Sequence, residues 1–391
     1  VEAGRTVTIT ADVEDSSGVR SVQAVMESPD ETERATLTLY DDGLHGDYGA
    51  GDGTYGNAWI TDITPRTYTV DFVTEDELDN VTDHDNGTEF TTEPFVGTGD
   101  ILLVADGSGV RTDDWRGYYT DALDAVGASY DVWDTFWYGT VTSDTLQPYT
   151  GGAVIWAVPQ WGYLNGDSTQ EALSAYLDAG GRLFITGQSV GAMWGTEPVY
   201  SDYLHAVYEA NTSGSWALDG VPGDAVGDGL QLTISGGDGA SNQYSPDELS
   251  PLSPAATVMT YTSGTLGGGA IRVDTGVYRV IYFGFGFEAI DNAQDRATVM
   301  YRVLNWLVGG YESTADFSVS ASSGDCPLTV AMTGTVIGVA QPYTVTWDFG
   351  DGDVETPAPL TATHTFTDVG VYDVTMSVAN ATTAVSATHS I

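Results

Sequence analysis

The chain has 391 residues, 41% of them hydrophobic and ten of them tryptophan, so it can bury real cores and is too long for one ordinary domain. It carries 11 basic and 56 acidic residues, a net charge of −45, and every basic residue is arginine. This charge makes nucleic acid and anionic membrane poor partners, and we expect neither. The single cysteine, Cys326, excludes an intrachain disulfide, and no apolar run is long enough to span a membrane.

The acidic residues are spread along the whole chain. The segments 1–97, 98–311 and 312–391 carry −18, −18 and −9, whereas an acidic interaction tail concentrates its charge in one block. An even distribution favours a protein that stays hydrated in high salt. An acidic, calcium-rich surface protein at ordinary salinity is the alternative. Because the chain begins without methionine or a signal-peptide pattern, we expect it to be a piece of a longer product.

Residues 1–97 alternate apolar and polar side chains in short runs such as "RTVTITADVED" and "TYTVDFVTED". Runs of period two, separated by Gly, Pro and Asp, predict an antiparallel β-sandwich. The segment therefore forms the first predicted domain.

One loop of this domain, "LYDDGLHGDYGAGDGTYG", is rich in aspartate and glycine. Closely spaced carboxylates between glycines suit Ca²⁺ coordination, and the candidate ligands are Asp41, Asp42, Asp47 and Asp52. The spacing is not that of an EF-hand. The loop resembles a motif of immunoglobulin-like domains in bacterial and archaeal surface proteins. Magnesium, or a metal-free hairpin in which aspartates cap backbone amides, remains an open alternative.

Residues 98–311 follow a different pattern. "DILLVAD", "GAVIWAV" and "RLFITG" are continuous apolar runs typical of buried parallel strands, and helical stretches such as "STQEALSAYLDAGG" separate them. The alternation predicts an α/β domain with a doubly wound parallel sheet, flavodoxin-like in type. Its second half is richer in strand patterns and closes with the helix "DRATVMYRVLNWLVGG".

The sequence Gly187-Gln188-Ser189-Val190-Gly191 follows the run "RLFIT". It has the G-x-S-x-G form of a nucleophile elbow, the strained turn that presents a catalytic serine. Together with "YLDAGGRLFITGQ" and "VIYFGFGFEAI", it makes the domain similar to the class I glutamine-amidotransferase-like fold. In the enzymes of that family a cysteine occupies the elbow and a late His-x-Glu supplies the base.

A serine nucleophile needs a base within hydrogen-bond reach. The late motif here ends in Glu288 without a histidine, lysine is absent, and His205 is the only histidine of the domain, in a predicted helix. No catalytic set is complete, so Ser189 is only a weak candidate and we expect a non-catalytic domain. In that interpretation Gly187 and Gly191 allow close packing and Ser189 caps the helix.

The carboxyl ends of parallel strands are where such folds bind ligands. Asp106, Trp194 and Glu288 are the candidate cleft residues. Aromatic side chains next to Asp and Asn are typical of carbohydrate sites, and the tryptophans predicted near the strand ends are Trp115, Trp133, Trp137, Trp161 and Trp194. Carbohydrate is therefore a candidate partner; burial of these rings in cores or interfaces is the alternative.

Residues 312–391 return to strand patterns and contain "YTVTWDFGDGDVETPAPLTATHTFTDVGVYDVTMSV". The run W-D-F-G-D-G at Trp347–Gly352, with His364 and Phe366 downstream, closely resembles the PKD (polycystic kidney disease) repeat. The resemblance implies an immunoglobulin-like sandwich that acts as a spacer or adhesive module outside cells. Trp347 and Phe349 are expected in the core, and Asp348 and Asp351 are expected to accept amide hydrogen bonds around the turn. Cys326 is expected to be buried.

Four N-x-S/T sequons are candidate glycosylation sites, at Asn80, Asn86, Asn211 and Asn380. Two predicted sandwich modules flank a domain without a catalytic base. The sequence therefore favours an extracellular structural or adhesive cell-surface protein. Such a protein would be a surface-layer or filament subunit, or a segment of one. Its expected partners are further copies of itself or neighbouring surface proteins. The alternatives are an accessory region of a secreted hydrolase or peptidase, and a hydrolase that uses Ser189.

Overall fold

The structure is a computed structural model. It describes all residues except 1–2, 4–5, 30–31, 48, 62–64, 93–96, 98, 107–114, 159–166, 212, 264–266 and 340–341. The chain forms two compact units. The first comprises residues 1–98, 131–133 and 137–139, and the second comprises 99–130, 134–136 and 140–391. The predicted boundary at 311/312 therefore lies within the second unit.

The first unit contains two antiparallel sheets. One pairs β1 with β4, and the other has the order β3-β2-β5-β6. The strands are β1 (Thr6–Asp12), β2 (Val19–Glu27), β3 (Glu33–Leu39), β4 (Thr54–Ile60), β5 (Thr67–Asp76) and β6 (Val81–Thr91). Alternate side chains of the inner strands form one core, which includes Ile9, Val22, Met26, Leu39 and Tyr68. Because these strands bury one face only, their sequences alternate.

A large mixed sheet follows along the chain. Its strands are β7 (Ile101–Ala105), β8 (Tyr130–Asp134), β9 (Ala153–Ala157), β10 (Arg182–Thr186), β11 (Ala206–Ala210), β12 (Ala217–Gly220), β13 (Gln231–Thr233), β14 (Glu248–Pro251), β15 (Ala256–Tyr261), β16 (Gly268–Asp274) and β17 (Arg279–Phe283). The helices are α1 (Arg116–Ala125), α2 (Thr135–Tyr138), α3 (Ser143–Leu146), α4 (Asp167–Asp178), α5 (Val190–Trp194), α6 (Pro198–Asp202) and α7 (Ala293–Leu307).

Neighbouring strands in one part of this sheet run parallel. The order along one end is β17-β10-β9-β7-β8, and the pairs β17/β10, β10/β9 and β9/β7 are parallel. In chain order this is 2-1-3-4-5, the order of flavodoxin-like sheets. Strands β7 and β9 are buried along their whole length, as continuous apolar sequences require. The prediction of a parallel sheet is incomplete, because β11 to β16 extend the sheet by antiparallel pairing.

Seven strands complete the second unit: β18 (Thr314–Val319), β19 (Leu328–Ile337), β20 (Thr344–Asp348), β21 (Val354–Ala358), β22 (Thr361–Phe366), β23 (Asp373–Ala379) and β24 (Ala384–Ser390). They form two antiparallel sheets, β18-β19-β22 and β21-β20-β23-β24, around one core that includes Phe317, Trp347 and Met376. Helix α7 packs on β19. There Val336 donates its N–H to Gln294 Oε1 at 3.1 Å, and Gln294 Nε2 donates back to the Val336 carbonyl.

In the part of the chain that the structure describes, no helix has both the length and the apolar character needed to cross a membrane.

Candidate functional site

The turn at Ser189 joins β10 to α5, as the G-x-S-x-G pattern predicts. A Cβ on Gly187 would lie 2.1 Å from the Val158 carbonyl oxygen, so only glycine fits there. Ser189 itself has φ −124° and ψ 4°, outside the left-handed region. The expectation that it caps α5 is wrong, because its side chain makes no capping hydrogen bond. Ser189 is buried, with 7% of its surface exposed.

Gln188, the residue before Ser189, holds a loop against this turn. Its Oε1 accepts hydrogen bonds from the backbone N–H groups of Tyr244 at 2.5 Å and Ser245 at 2.9 Å. Its Nε2 donates to the Asn242 carbonyl at 2.9 Å. We call residues 242–247 the strap. Because one amide side chain satisfies three backbone groups of the strap, the strap is fixed to the carboxyl end of β10.

The strap also surrounds Glu288, which is completely buried. Tyr119 donates its hydroxyl to Glu288 Oε2 at 2.7 Å, and Asn242 Nδ2 and Gln243 Nε2 donate to Oε1 at 2.8 and 3.3 Å. Burial raises the pKa of Glu288 above its ordinary value, and the donors only partly offset this. Both carboxylate oxygens are therefore engaged by the protein, as a structural buried carboxylate requires.

Asp247, at the end of the strap, is a second buried carboxyl group, which the sequence analysis missed. Its Oδ2 accepts the Gly191 N–H at 2.7 Å and lies 3.4 Å from the Tyr282 hydroxyl. Burial raises its pKa to about 8, so the group is protonated at neutral pH. A Cβ on Gly191 would lie 2.9 Å from Asp247 Oδ2 and 2.5 Å from Tyr208 Cδ2, which explains the second glycine of the motif.

The predicted cleft residues lie in the interior instead of lining an open surface. Asp106 is buried and accepts hydrogen bonds from Thr135 Oγ1 and Trp156 Nε1, both at 3.1 Å. Trp194 is buried in the core with 2% exposed, and Glu288 is enclosed by the strap. The three residues are therefore buried among the protein's own groups, and a ligand cleft at this edge of the sheet stays a prediction.

The other tryptophans proposed for carbohydrate binding have different degrees of burial. Trp133 is buried, and its Nε1 donates to the Gly139 carbonyl. Trp115 is half-buried against Tyr119. Trp161 lies outside the described residues, as does the side chain of Trp137.

His205 does not lie in a helix, contrary to the sequence expectation, because α6 ends at Asp202. His205 precedes β11 with φ 49°, and its Nε2 lies 3.0 Å from the Tyr278 hydroxyl. Burial lowers the pKa of the imidazole. The hydroxyl of Tyr278 also donates to the Asp202 carbonyl, so the imidazole belongs to a local structural network.

The aspartates of the Asp/Gly loop have different surroundings. Asp41 accepts the N–H groups of Gly51 and Gly53, at 2.6 and 3.1 Å, and Asp52 accepts that of Thr54 at 3.0 Å. These two carboxylates cap turns, as the metal-free alternative predicts for them. The other two aspartates, Asp42 and Asp47, lie close enough for their negative charges to interact.

Three of the four sequon asparagines, Asn80, Asn86 and Asn211, are exposed. Asn80 and Asn86 lie beside and within β6, and Asn86 has φ 51°. Asn380 is half-buried in the turn between β23 and β24, where its Oδ1 accepts the N–H of Thr383 at 2.8 Å. The structure therefore places three of the sequons where a glycan would meet solvent.

The run W-D-F-G-D-G surrounds the turn after β20. Trp347 and Phe349 are buried, Gly350 donates its N–H to Asp348 Oδ1 at 3.0 Å, and Asp353 donates its N–H to Asp351 Oδ1 at 3.1 Å. These observations confirm the expected roles. Residues 316–391 also match the family model of the PKD domain. They form a PKD domain.

Two solved structures show distant similarity to the chain. A putative ThuA-like protein from Parabacteroides merdae ATCC 43184 is 14% identical, with a TM-score of 0.38, over 54% of this chain and 90% of that one. The chitinase ChiW from Paenibacillus sp. str. FPU-7, a cell-surface-expressed multi-modular enzyme, is 10% identical, with a TM-score of 0.21, over 100% of this chain and 50% of that one. No curated protein matches the chain.

The PKD domain contains a group that the sequence analysis missed. Asp351, Asp353 and His364 each place one ligand atom within 4.8 Å of the other two. His364 Nε2 lies 2.7 Å from Asp351 Oδ2, and the imidazole stacks on Phe349 with a centroid distance of 4.1 Å. The direct contact between His364 and Asp351 already satisfies both groups. Cys326 of this domain is exposed, so the expectation that it is buried is wrong; its Sγ contacts the Asp368 carbonyl at 3.1 Å.

Proposed function

We propose that the chain is a structural or adhesive component of an extracellular surface, a surface-layer or filament subunit or a segment of one. The observation that carries the proposal is the PKD domain at residues 316–391. PKD domains are common in extracellular surface and adhesion proteins and in secreted enzymes. The even distribution of the −45 charge further supports a role in a saline exterior.

The geometry around Ser189 favours the structural alternative over a Ser189-dependent hydrolase. Ser189 is buried, and the strap is bonded to the neighbouring Gln188. The one histidine of this part, His205, contacts Tyr278. In our proposal the α/β part is an amidotransferase-like domain that serves as a rigid spacer, joined to the PKD domain through the Gln294–Val336 hydrogen bonds.

The second candidate is an accessory region of a secreted hydrolase, and it is favoured by the occurrence of PKD domains in secreted enzymes. In that case the chain would hold a catalytic domain near its substrate and would not assemble by itself. The two candidates therefore differ in whether the isolated chain self-associates.

The test is multi-angle light scattering combined with electron microscopy of the purified chain in molar NaCl with calcium. We expect assemblies of defined spacing whose amount rises with protein concentration. A chain that stays monomeric over the whole concentration range would contradict the proposal and favour the accessory role. Because Cys326 is exposed and is the only cysteine, Cys326→Ser is the matched control: its assembly must equal that of the unmodified chain, which excludes disulfide-linked dimers.

A further inference from the structure

Asp47, in the Asp/Gly loop, has a carboxylate oxygen without a described hydrogen-bond donor. The residue is completely buried, and its Oδ2 accepts the Gly43 N–H at 2.7 Å. Its Oδ1 is also buried, and within the described residues no donor reaches it. An aspartate carboxyl group is ordinarily ionised at neutral pH. A buried anionic oxygen without a partner is strongly unfavourable.

The surroundings of Asp47 add negative charge. The Asp42 carboxylate lies close enough for its charge to act on Asp47. Asp42 accepts the Leu44 N–H at 2.9 Å, and His45 Nδ1 lies 2.9 Å from its Oδ1. Among the ion pairs of the described chain, none joins an arginine to Asp42 or Asp47. Within the described residues the two neighbouring carboxylates therefore have no arginine partner, and His45 pairs with Asp42.

The buried Oδ1 of Asp47 has no described donor, so a positive ligand is the species that would satisfy it.

We propose that Asp47 Oδ1 is a ligand of a bound calcium ion and that Asp42 is the second carboxylate of the site. Calcium fits because it takes several oxygen ligands in flexible geometry, including backbone carbonyls and water, whereas Mg²⁺ demands a near-ideal octahedron and loses water reluctantly. Asp42 also accepts a backbone N–H, and it is chosen because it is the carboxylate whose charge acts on Asp47. Asp41 and Asp52 cap backbone amides and are not ligands in this proposal. The proposal therefore selects two of the four aspartates in the loop.

The test is calorimetric titration of CaCl₂ into the calcium-free full chain, in molar NaCl to suppress diffuse binding by the other acidic residues. The variants are Asp47→Asn and, as matched control, Asp52→Asn, which removes the same charge from the same loop and retains an acceptor for Thr54. We expect one saturable site in the unmodified chain and in Asp52→Asn. In Asp47→Asn we expect its affinity to fall by about 10-fold or more.

Thermal unfolding supplies an independent readout. We expect calcium to raise one unfolding transition by on the order of 5 °C in the unmodified chain and in Asp52→Asn, but not in Asp47→Asn. In excess chelator Asp47→Asn should melt at least as high as the unmodified chain, because it removes an unpaired buried charge.

Equal calcium affinity in the Asp47→Asn and unmodified chains would overturn the proposal, as would the absence of a saturable site. Equal stabilisation by Mg²⁺ would overturn the choice of ion. If Asp47→Asn does not fold, the test uses Asp42→Asn instead. A calcium affinity equal to that of Asp52→Asn would overturn the proposed site. A lower calcium affinity than that of Asp52→Asn would support it.

Discussion

Replacing Asp247 by asparagine should stabilise the protein in neutral and alkaline solution. The carboxyl group is buried, and its pKa is about 8 in the folded chain against an ordinary value of 3.8. The folded state therefore binds this proton more tightly than the unfolded state, and stability falls as pH rises from about 4 to about 8, then levels off. Each tenfold difference in proton affinity is worth about 1.4 kcal/mol. Between pH 5 and pH 8 the loss is about 4 kcal/mol.

Asparagine has nearly the same shape, stays neutral and can still accept the Gly191 N–H. The difference in unfolding free energy between Asp247→Asn and the unmodified chain should thus grow by about 4 kcal/mol from pH 5 to pH 8. The assay is denaturant unfolding at several pH values and constant ionic strength, followed by tryptophan fluorescence. Parallel pH curves for the two proteins would refute the reasoning, because they would mean that Asp247 is ionised in the folded state.

Three other substitutions test the packing, each by denaturant unfolding. Gly191→Ala should lower the unfolding free energy by about 1–3 kcal/mol, because the new Cβ would lie 2.5 Å from the Tyr208 ring; an unchanged value would contradict the close approach. Trp347→Ala should destabilise the PKD domain by about 3–5 kcal/mol, since the indole is completely buried. Gln294→Ala should cost about 1–2 kcal/mol through the lost hydrogen bonds to Val336, and separate unfolding transitions for the α/β and PKD parts would accompany it.

The sequence was sufficient to predict a turn when the hydrogen-bond partners of that turn lie within the same short motif. In the PKD domain the aspartates Asp348 and Asp351 accept amides two residues further along the chain, so adjacent sequence contains both partners. The strands β7, β9 and β10 were predicted from their continuous apolar runs. A strand that is buried on both faces is apolar along its whole length, so its own sequence is enough to identify it. The Ser189 turn was likewise placed between a strand and a helix from its glycines.

The interior of the candidate site could not be predicted, because its partners are distant in sequence. Glu288 is bonded by Tyr119 and by the strap, which lies about 45 residues before it in the chain. No spacing rule connects these positions. The same limit applies to the burial of Trp194, because its aromatic character fits both a binding surface and a core. In the Asp/Gly loop, carboxylate density was visible, but only the fold distinguishes the buried oxygen of Asp47 from the amide-capping carboxylate of Asp52.

The account depends most directly on Ser189 having no nucleophilic role, and labelling by a fluorophosphonate probe measures this. The probe reacts with activated serines, so the unmodified chain and Ser189→Ala should both remain unlabelled under conditions in which a control serine hydrolase is labelled completely. Labelling of the unmodified chain that disappears in Ser189→Ala would contradict the account and establish a hydrolase-like site.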